Sequence, residues 1–172
     1  KFIKKILSEL TGCEHIFLFN EQYIVKPSKS ENSSFVWHQD CNYLPQPHLY
    51  ISVWIPLDSI CSQNGSIFMR PFDAALNAKS WQIPSLLLPD KQIADLQHNE
   101  DGDEKEDEDK HEKKKIELLP ECGDMIIFTS YTYHKSNANI SDKLRRVIMC
   151  QYSTFPIIDR QNKKLARLVV KL

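Results

Sequence analysis

A chain of 172 residues with 41% hydrophobic and 10% aromatic content can bury one sizeable core, and both fractions are ordinary for a soluble globular protein. A formal net charge of −1 gives no whole-molecule field for nucleic acid or an anionic membrane, so neither is expected as a partner. The apolar runs, such as Leu86 to Leu88, are far shorter than the ~20 residues of a membrane-spanning helix. We therefore expect residues 1–172 to form a single domain without a membrane span.

The first predicted elements are a helix and a strand. Apolar residues recur at helical spacing between lysines over residues 2–10, and Gly12 ends that pattern. Residues 16–25 are rich in apolar and β-branched side chains, which predicts a strand. The polar residues 26–34 predict a loop after that strand.

Short strands separated by turns follow along the chain. Residues 48–58 alternate between an apolar face and a second face, which is the period of a strand. Ser62 to Ser66 has the composition of a hairpin turn and leads into a strand over residues 67–71. Two later strands are predicted over residues 125–129 and 145–155. This succession indicates a mainly β fold, an antiparallel sandwich or barrel with a few flanking helices.

The segment of residues 99–115 differs in composition from everything around it. It contains nine acidic residues and five lysines and no apolar residue, so it cannot contribute to a core. We expect a mobile, solvated insertion within the domain. A docking segment for another protein is the alternative interpretation.

The cysteines and the chain ends bear on the cellular compartment. The five cysteines are scattered and form no C-x-x-C pair, which favours reduced thiols over a disulfide framework. The first residues lack the apolar stretch of a signal peptide. The final "RLVVKL" is not a clean S-K-L peroxisomal signal. We expect an intracellular protein, cytoplasmic or peroxisomal.

The stretch "FVWHQD" at residues 35–40 is the first candidate for chemistry. If it is one continuous strand, His38 and Asp40 project from the same face and Gln39 from the other. An imidazole and a carboxylate on one face, completed by a distant second histidine, make the facial triad that leaves positions open on a non-haem Fe(II). Taken alone, this spacing also fits a surface pair or a helix N-cap.

A second histidine and an arginine complete the candidate site. His134 follows the strand predicted at residues 125–129, and Arg145 comes eleven residues later. Alternation places Arg145 on one face of its strand and Arg146 on the other. An inward guanidinium suits bidentate pairing with the far carboxylate of a keto acid that chelates the metal. Two surface arginines are the plainer interpretation of the same pair.

These elements together resemble the phytanoyl-CoA dioxygenase family of Fe(II)- and 2-oxoglutarate-dependent oxygenases. The resemblance rests on "WHQD", "SVW", "QNGSIFMRP", "GDMIIF" and the "H.S..N.S...RR" pattern that begins at His134, which occur in this order. It extends from about Tyr23 to Tyr152, apart from the acidic insertion. The family implies a double-stranded β-helix, or jelly-roll, with the metal at the mouth of the barrel.

The resemblance also implies roles for individual residues. His38, Asp40 and His134 are the expected Fe(II) ligands, and Arg145 is the expected anchor of 2-oxoglutarate. Further expected cosubstrate contacts are Gln39, Trp54, Ser136 and Tyr23. The implied reaction consumes O2 and 2-oxoglutarate, releases succinate and CO2, and hydroxylates an unactivated C–H bond of a small organic molecule. Candidate substrates include an acyl-CoA or another organic acid. Because Asp40 is present, hydroxylation is expected and halogenation is not.

One departure from the family pattern concerns the substrate. The family usually follows its "NG" strand with a Pro-Gly-(Ser/Thr)-His turn, whereas this chain reads "MRPFDAALN". We expect the loop of residues 72–88 to shape a different substrate pocket without affecting the metal ligands.

Three other interpretations stay open at this point. Another 2-oxoglutarate oxygenase subgroup, such as a nucleic-acid demethylase or a prolyl hydroxylase, would share H-x-D and a later histidine. A catalytically silent relative would act as a binding module through its acidic segment. A structural jelly-roll that binds zinc is the third.

Overall fold

A computed structural model of the chain describes residues 1–43, 49–70, 115–158, 164–165 and 169–172, without the side chains of residues 42 and 43. These residues contain one α-helix, α1 (Phe2–Thr11), and two short 3-10 helices, Glu31–Ser33 and Asp40–Tyr43. The strands are β1 (Phe17–Lys26), β2 (Phe35–His38), β3 (Ile51–Pro56), β4 (Ile67–Met69), β5 (Ile116–Leu118), β6 (Ile126–Thr129), β7 (His134–Ser136), β8 (Arg145–Ser153) and β9 (Val170–Lys171). Residues 72–88, and all of the acidic segment except Lys115, lie outside the described residues.

The described strands form two antiparallel sheets. The larger has the order β6-β3-β8-β1-β9, and the smaller has the order β2-β7-β4-β5. Strands that follow one another in the chain therefore mostly lie in different sheets, as in a jelly-roll. The predicted mainly β fold and double-stranded β-helix are confirmed. No described helix is long and apolar enough to cross a membrane.

The larger sheet has a covered outer face and an inner face that packs toward the smaller sheet. Helix α1 places Leu7, which is fully buried, against Val53 and Tyr152 on the outer face. Gly12 ends the helix with a left-handed φ of 68°, a conformation that glycine adopts at little cost. On the inner face Trp54 packs with Met149 and their apolar neighbours. Both faces of β3 are therefore largely buried.

A β-bulge in β1 determines which of its residues face the inside of the barrel. The pairing of β1 with β8 is shifted between Leu18 and Asn20. Such a bulge adds one residue to a strand and reverses the side-chain alternation beyond it. After the bulge, the even-numbered residues from Asn20 to Lys26 turn inward, and Lys26 is 1% exposed. The odd-numbered Tyr23 turns outward.

Candidate metal and cosubstrate site

The three predicted metal ligands come from two adjacent strands and the turn that follows one of them. His38 ends β2, His134 begins β7, and the two are direct cross-strand partners. Asp40 is the first residue of the 3-10 helix that follows β2. The expectation that His38 and Asp40 share one continuous strand is therefore wrong. The carboxylate turns back toward both histidines because the chain leaves the strand at residue 39.

The donor atoms of this triad form a compact group. Asp40 Oδ1 lies 3.7 Å from His38 Nε2 and 3.7 Å from His134 Nε2. The three donor atoms all lie within 4.8 Å of one another. Asp40 and His134 are 3% and 6% exposed. The three donor atoms are thus close enough to share one ion, and Asp40 and His134 are shielded from bulk water.

The backbone fixes both imidazoles with Nε2 toward the centre of the triad. His38 Nδ1 lies 2.7 Å from the Val36 carbonyl, and His134 Nδ1 lies 2.8 Å from the Thr132 carbonyl. Since a carbonyl oxygen only accepts, each Nδ1 carries the proton and each Nε2 keeps its lone pair. Burial, with the nearby His38 as a second cause, lowers the pKa of His134. The neutral imidazole that a metal requires is therefore favoured.

The carboxylate of Asp40 is held in the same way through its second oxygen. Oδ2 accepts hydrogen bonds from Ser52 Oγ at 2.9 Å and from Gln151 Nε2 at 3.0 Å. The Tyr50 hydroxyl donates to the Asp40 backbone carbonyl at 2.6 Å. Oδ1 remains directed at the two histidines. Two neutral imidazoles and one carboxylate oxygen are the donor set of a non-haem Fe(II) site.

A cavity of about 340 Å³ adjoins the triad and contains several predicted cosubstrate contacts. Arg145, Trp54 and Ser136 all line it, together with His38, Asp40 and His134. Arg145 is 2% exposed, and its guanidinium carbon lies 5.6 Å from the centre of the Trp54 ring. As the alternation predicts, Arg146 lies on the opposite face, where it pairs with Asp58 at 2.6 Å.

Arg145 has hydrogen-bonding capacity to spare. Its Nη2 donates to the Gly65 carbonyl at 3.0 Å, whereas its buried Nε has no partner among the described residues. No acidic residue in the described part of the chain forms an ion pair with it. Burial lowers the pKa of Arg145 to about 10, so the guanidinium is still charged at neutral pH. Because a buried, unpaired charge is costly, a cation with an unused donor beside a cavity favours the binding of an anion there.

A second buried cation, Lys26, stands behind the cavity wall and was not predicted from the sequence. Its ammonium donates to Ser136 Oγ at 2.8 Å and to the Asn137 carbonyl. Burial first, and the charge of Arg145 second, lower the pKa of Lys26 to about 7. Described acidic residues form no ion pair with Lys26 either. The composition of residues 26–34 suggested a loop and concealed that Lys26 is the last inward residue of β1.

The rest of the "H.S..N.S...RR" pattern supports this cationic corner. Asn139 is fully buried, and its amide donates to the carbonyls of Lys26 and Lys143 at 2.9 and 2.7 Å. Its Oδ1 accepts from the hydroxyl of Ser141 at 2.7 Å. These bonds tie the end of β1 to the loop before β8. The asparagine and serine therefore hold the backbone that carries the two cations.

Two of the expected cosubstrate contacts lie elsewhere. Gln39 donates through Nε2 to the Tyr131 carbonyl at 2.7 Å and is not among the cavity-lining residues. Tyr23 is 61% exposed on the outer face of β1, also away from the cavity lining. The even-numbered neighbours of Tyr23 on β1, Gln22 and Ile24, line the cavity instead.

Comparison with known proteins identifies the family. The family model for Phytanoyl-CoA dioxygenase (PhyH) matches residues 3–147. The chain belongs to this family. The resemblance seen in the sequence is thus confirmed, and the PhyH match covers both histidines, Asp40 and Arg145. A comparison with curated protein sequences gives no significant match.

Three solved structures illustrate the fold that this chain shares with known proteins. The non-heme alpha ketoglutarate dependent carbocyclase SnoK from nogalamycin biosynthesis has a TM-score of 0.62 and 20% identity over 87% of this chain and 54% of its own. The non-heme monooxygenase ThoJ has a TM-score of 0.58 and 19% identity over 96% and 58%. EctD from S. alaskensis, solved with 2-oxoglutarate and 5-hydroxyectoine, has a TM-score of 0.58 and 17% identity over 88% and 48%. The chain therefore spans about half the length of these three proteins, and the likeness shows the fold.

Proposed function

We propose that this PhyH-family chain is an Fe(II)- and 2-oxoglutarate-dependent oxygenase that hydroxylates a C–H bond of a small organic substrate, with release of succinate and CO2. The observation that carries the proposal is one cavity whose lining contains two chemically distinct groups. One is a set of three side chains that could hold a metal, and the other is a buried arginine with an unused donor. A keto acid that chelates a metal and carries a second carboxylate matches both groups.

His38, Asp40 and His134 would hold the iron, since each offers a prepared donor atom. When bound, the iron supplies the activation of O2 that amino-acid side chains cannot perform. The protein contributes orientation and exclusion of water. The carbonyls of Val36 and Thr132 keep both imidazoles in the metal-binding tautomer, and buried Phe128 lies 4.9 Å from the His134 ring.

Arg145 would bind the far carboxylate of 2-oxoglutarate, with Ser136 as a second donor. Lys26 donates to Ser136 Oγ, so the serine's own proton is free to point at the carboxylate. The guanidinium and the ammonium together give this corner a positive potential that favours a dianionic cosubstrate. Trp54 would flank the cosubstrate while its ring supports the guanidinium.

The substrate is proposed to be a small organic molecule, such as an acyl-CoA or another organic acid. Apolar side chains, including Phe19, Ile24 and Met149, form much of the cavity wall. Such a wall suits the hydrocarbon part of a substrate. The carboxylate of Asp40 fills the third protein ligand position, which supports hydroxylation.

The decisive experiment loads anaerobically purified protein with Fe(II) and then with 2-oxoglutarate. We expect a metal-to-ligand charge-transfer band on addition of 2-oxoglutarate, followed by succinate formation when O2 is admitted. A panel of acyl-CoAs, free acids and amino-acid derivatives identifies the substrate by increased succinate yield. The Asp40→Ala variant serves as the metal-deficient control.

The same experiment separates the competing interpretations. A silent relative that acts as a binding module would give neither the band nor succinate with any substrate. A structural zinc protein would be isolated with zinc and would not exchange it for Fe(II). Either result would refute the proposed activity.

A further inference from the structure

Asp40 is connected to the centre of the larger sheet by a row of hydrogen-bonded polar side chains. Asn20, Gln151 and Ser52 come from the adjacent strands β1, β8 and β3. Gln151 is the direct cross-strand partner of both other residues. Ser52 and Gln151 are 0% and 6% exposed. Buried polar groups at adjacent positions of a sheet core are costly unless they satisfy one another.

The hydrogen bonds in this row run in one direction. Asn20 Nδ2 donates to Gln151 Oε1 at 2.8 Å, and Gln151 Nε2 donates to Asp40 Oδ2 at 3.0 Å. With its oxygen engaged by Asn20, the amide of Gln151 must present its NH2 group to the carboxylate. With the amide flipped, the Gln151 oxygen would face Asp40 Oδ2, and two acceptors would meet without a proton between them. Ser52 Oγ adds the second donor to the same Oδ2.

We propose that Asn20, Gln151 and Ser52 are positioning residues that hold Asp40 as a one-oxygen metal ligand. This inference rests on the proposed function, because it concerns the same metal site. With two donors on Oδ2, only Oδ1 is left for the metal. A carboxylate that chelated through both oxygens would take a position that 2-oxoglutarate or O2 requires. These three hydrogen-bonded side chains, called the relay below, would therefore leave the remaining coordination positions of the metal available.

The β1 bulge is part of this arrangement. The register of β1 shifts between Leu18 and Asn20, immediately before the relay begins. Bulges next to active sites commonly re-aim a side chain. Here the bulge turns Asn20 toward Gln151. The carboxylate of Asp40, which lies on a short 3-10 turn, is thus positioned by side chains from three strands of the larger sheet.

The test compares metal binding in Gln151→Leu, Ser52→Ala and Asn20→Leu with the unmodified chain. Gln151→Leu removes the hydrogen bonds of Gln151 to Asn20, Asp40 and Ser52, and Ser52→Ala removes those of Ser52 to Asp40 and Gln151. Asn20→Leu removes the single bond from Asn20 to Gln151, and no variant removes a metal ligand. We expect the Kd for Co(II), measured by calorimetry without O2, to rise about 10- to 100-fold, as is usual when an outer-shell partner is lost. At saturating Fe(II), the 2-oxoglutarate charge-transfer band should be weaker, a change that a purely structural role would not produce.

Ser153→Ala is the matched control, because Ser153 is a buried serine of the same sheet whose hydroxyl donates to the Phe155 carbonyl. It should bind Co(II) with unchanged affinity. If folded Ser52→Ala and Gln151→Leu also bind with unchanged affinity and give a full band, the relay is refuted and the proposed function stands. If Gln151→Leu does not fold, the serine and Asn20 variants decide. An unmodified chain that binds neither metal nor 2-oxoglutarate refutes both proposals.

Discussion

Replacing Lys26 by methionine removes a charge from behind the cosubstrate site and keeps the length of the side chain. The Lys26 ammonium lies 2.8 Å from Ser136 Oγ. A further hydrogen bond of about 2.8 Å from that hydroxyl puts a bound carboxylate oxygen no more than ~5.6 Å from the ammonium. At an effective dielectric constant of about 20, two unit charges at this distance attract by ~3 kcal/mol. We therefore expect Lys26→Met to raise the Kd of 2-oxoglutarate roughly a hundredfold.

The same interaction predicts a pH dependence of cosubstrate binding. Since the pKa of Lys26 is lowered to about 7, the free protein carries the ammonium below pH 7 and loses it above. The bound dianion favours the protonated form, so binding above pH 7 must take up a proton. Affinity should therefore be highest below pH 7 and fall as the pH rises. Arg145, with a pKa of about 10, stays charged over this range.

The assay is calorimetric titration of 2-oxoglutarate into anaerobic, metal-loaded protein between pH 6 and 8.5. The unmodified chain should show weakening affinity with rising pH, and Lys26→Met should show weak affinity that changes little. Lys143→Met, which removes an exposed lysine, is the control and should behave as the unmodified chain does. Equal affinity of Lys26→Met and the unmodified chain at pH 6.5 would refute the electrostatic role of Lys26.

Three further predictions address the metal, the cosubstrate anchor and the turn beside it. Asp40→Ala should lose metal binding in calorimetry and 2-oxoglutarate turnover in a succinate assay, because no other described carboxylate faces the two histidines. Arg145→Gln should raise the KM for 2-oxoglutarate at least ~30-fold while metal affinity is kept, since truncating one partner of a buried charge pair costs about 2–5 kcal/mol. Gly65→Ala should destabilise the protein by ~1–3 kcal/mol in urea unfolding. Gly65 has a φ of +96°, and an added Cβ would lie 2.9 Å from the Lys26 side chain.

Each of these predictions has a result that contradicts it. Full activity of Asp40→Ala would remove the triad from the mechanism. A Kd for metal that rises together with the KM in Arg145→Gln would mean that the arginine supports the fold and does not contact the cosubstrate. Wild-type stability of Gly65→Ala would show that the turn at residue 65 can relax.

The sequence was informative where chemistry is encoded in short spacings. H-x-D and the "H.S..N.S...RR" pattern are local, and the family resemblance that they carry with the other motifs implied the triad and Arg145. Strand alternation also predicted that Arg145 and Arg146 face opposite ways, which the structure shows. The jelly-roll followed from the resemblance and from the succession of short strands.

The features that could not be predicted depend on backbone irregularities and distant pairings. Asp40 was expected in a strand, but the chain leaves β2 at His38 and enters a 3-10 turn. Tyr23 was expected at the cavity, but the bulge before Asn20 reverses the parity of β1. Lys26 joins the site only because β1 pairs with β8 as far as Arg145. No local pattern encodes a bulge or a register between strands more than a hundred residues apart.

Because the two histidines are cross-strand partners, a bound metal would stabilise the edge of the smaller sheet. Strand β2 has four residues and lies at the edge of its sheet, where β7 is its one partner among the described strands. Its Val36 is 79% exposed. An ion bound to His38 and His134 would link β2 to β7. Ligand binding opposes local opening by mass action. Deuterium uptake by the β2 amides should thus slow on metal loading. This rate would measure the occupancy of the metal site without knowledge of the substrate.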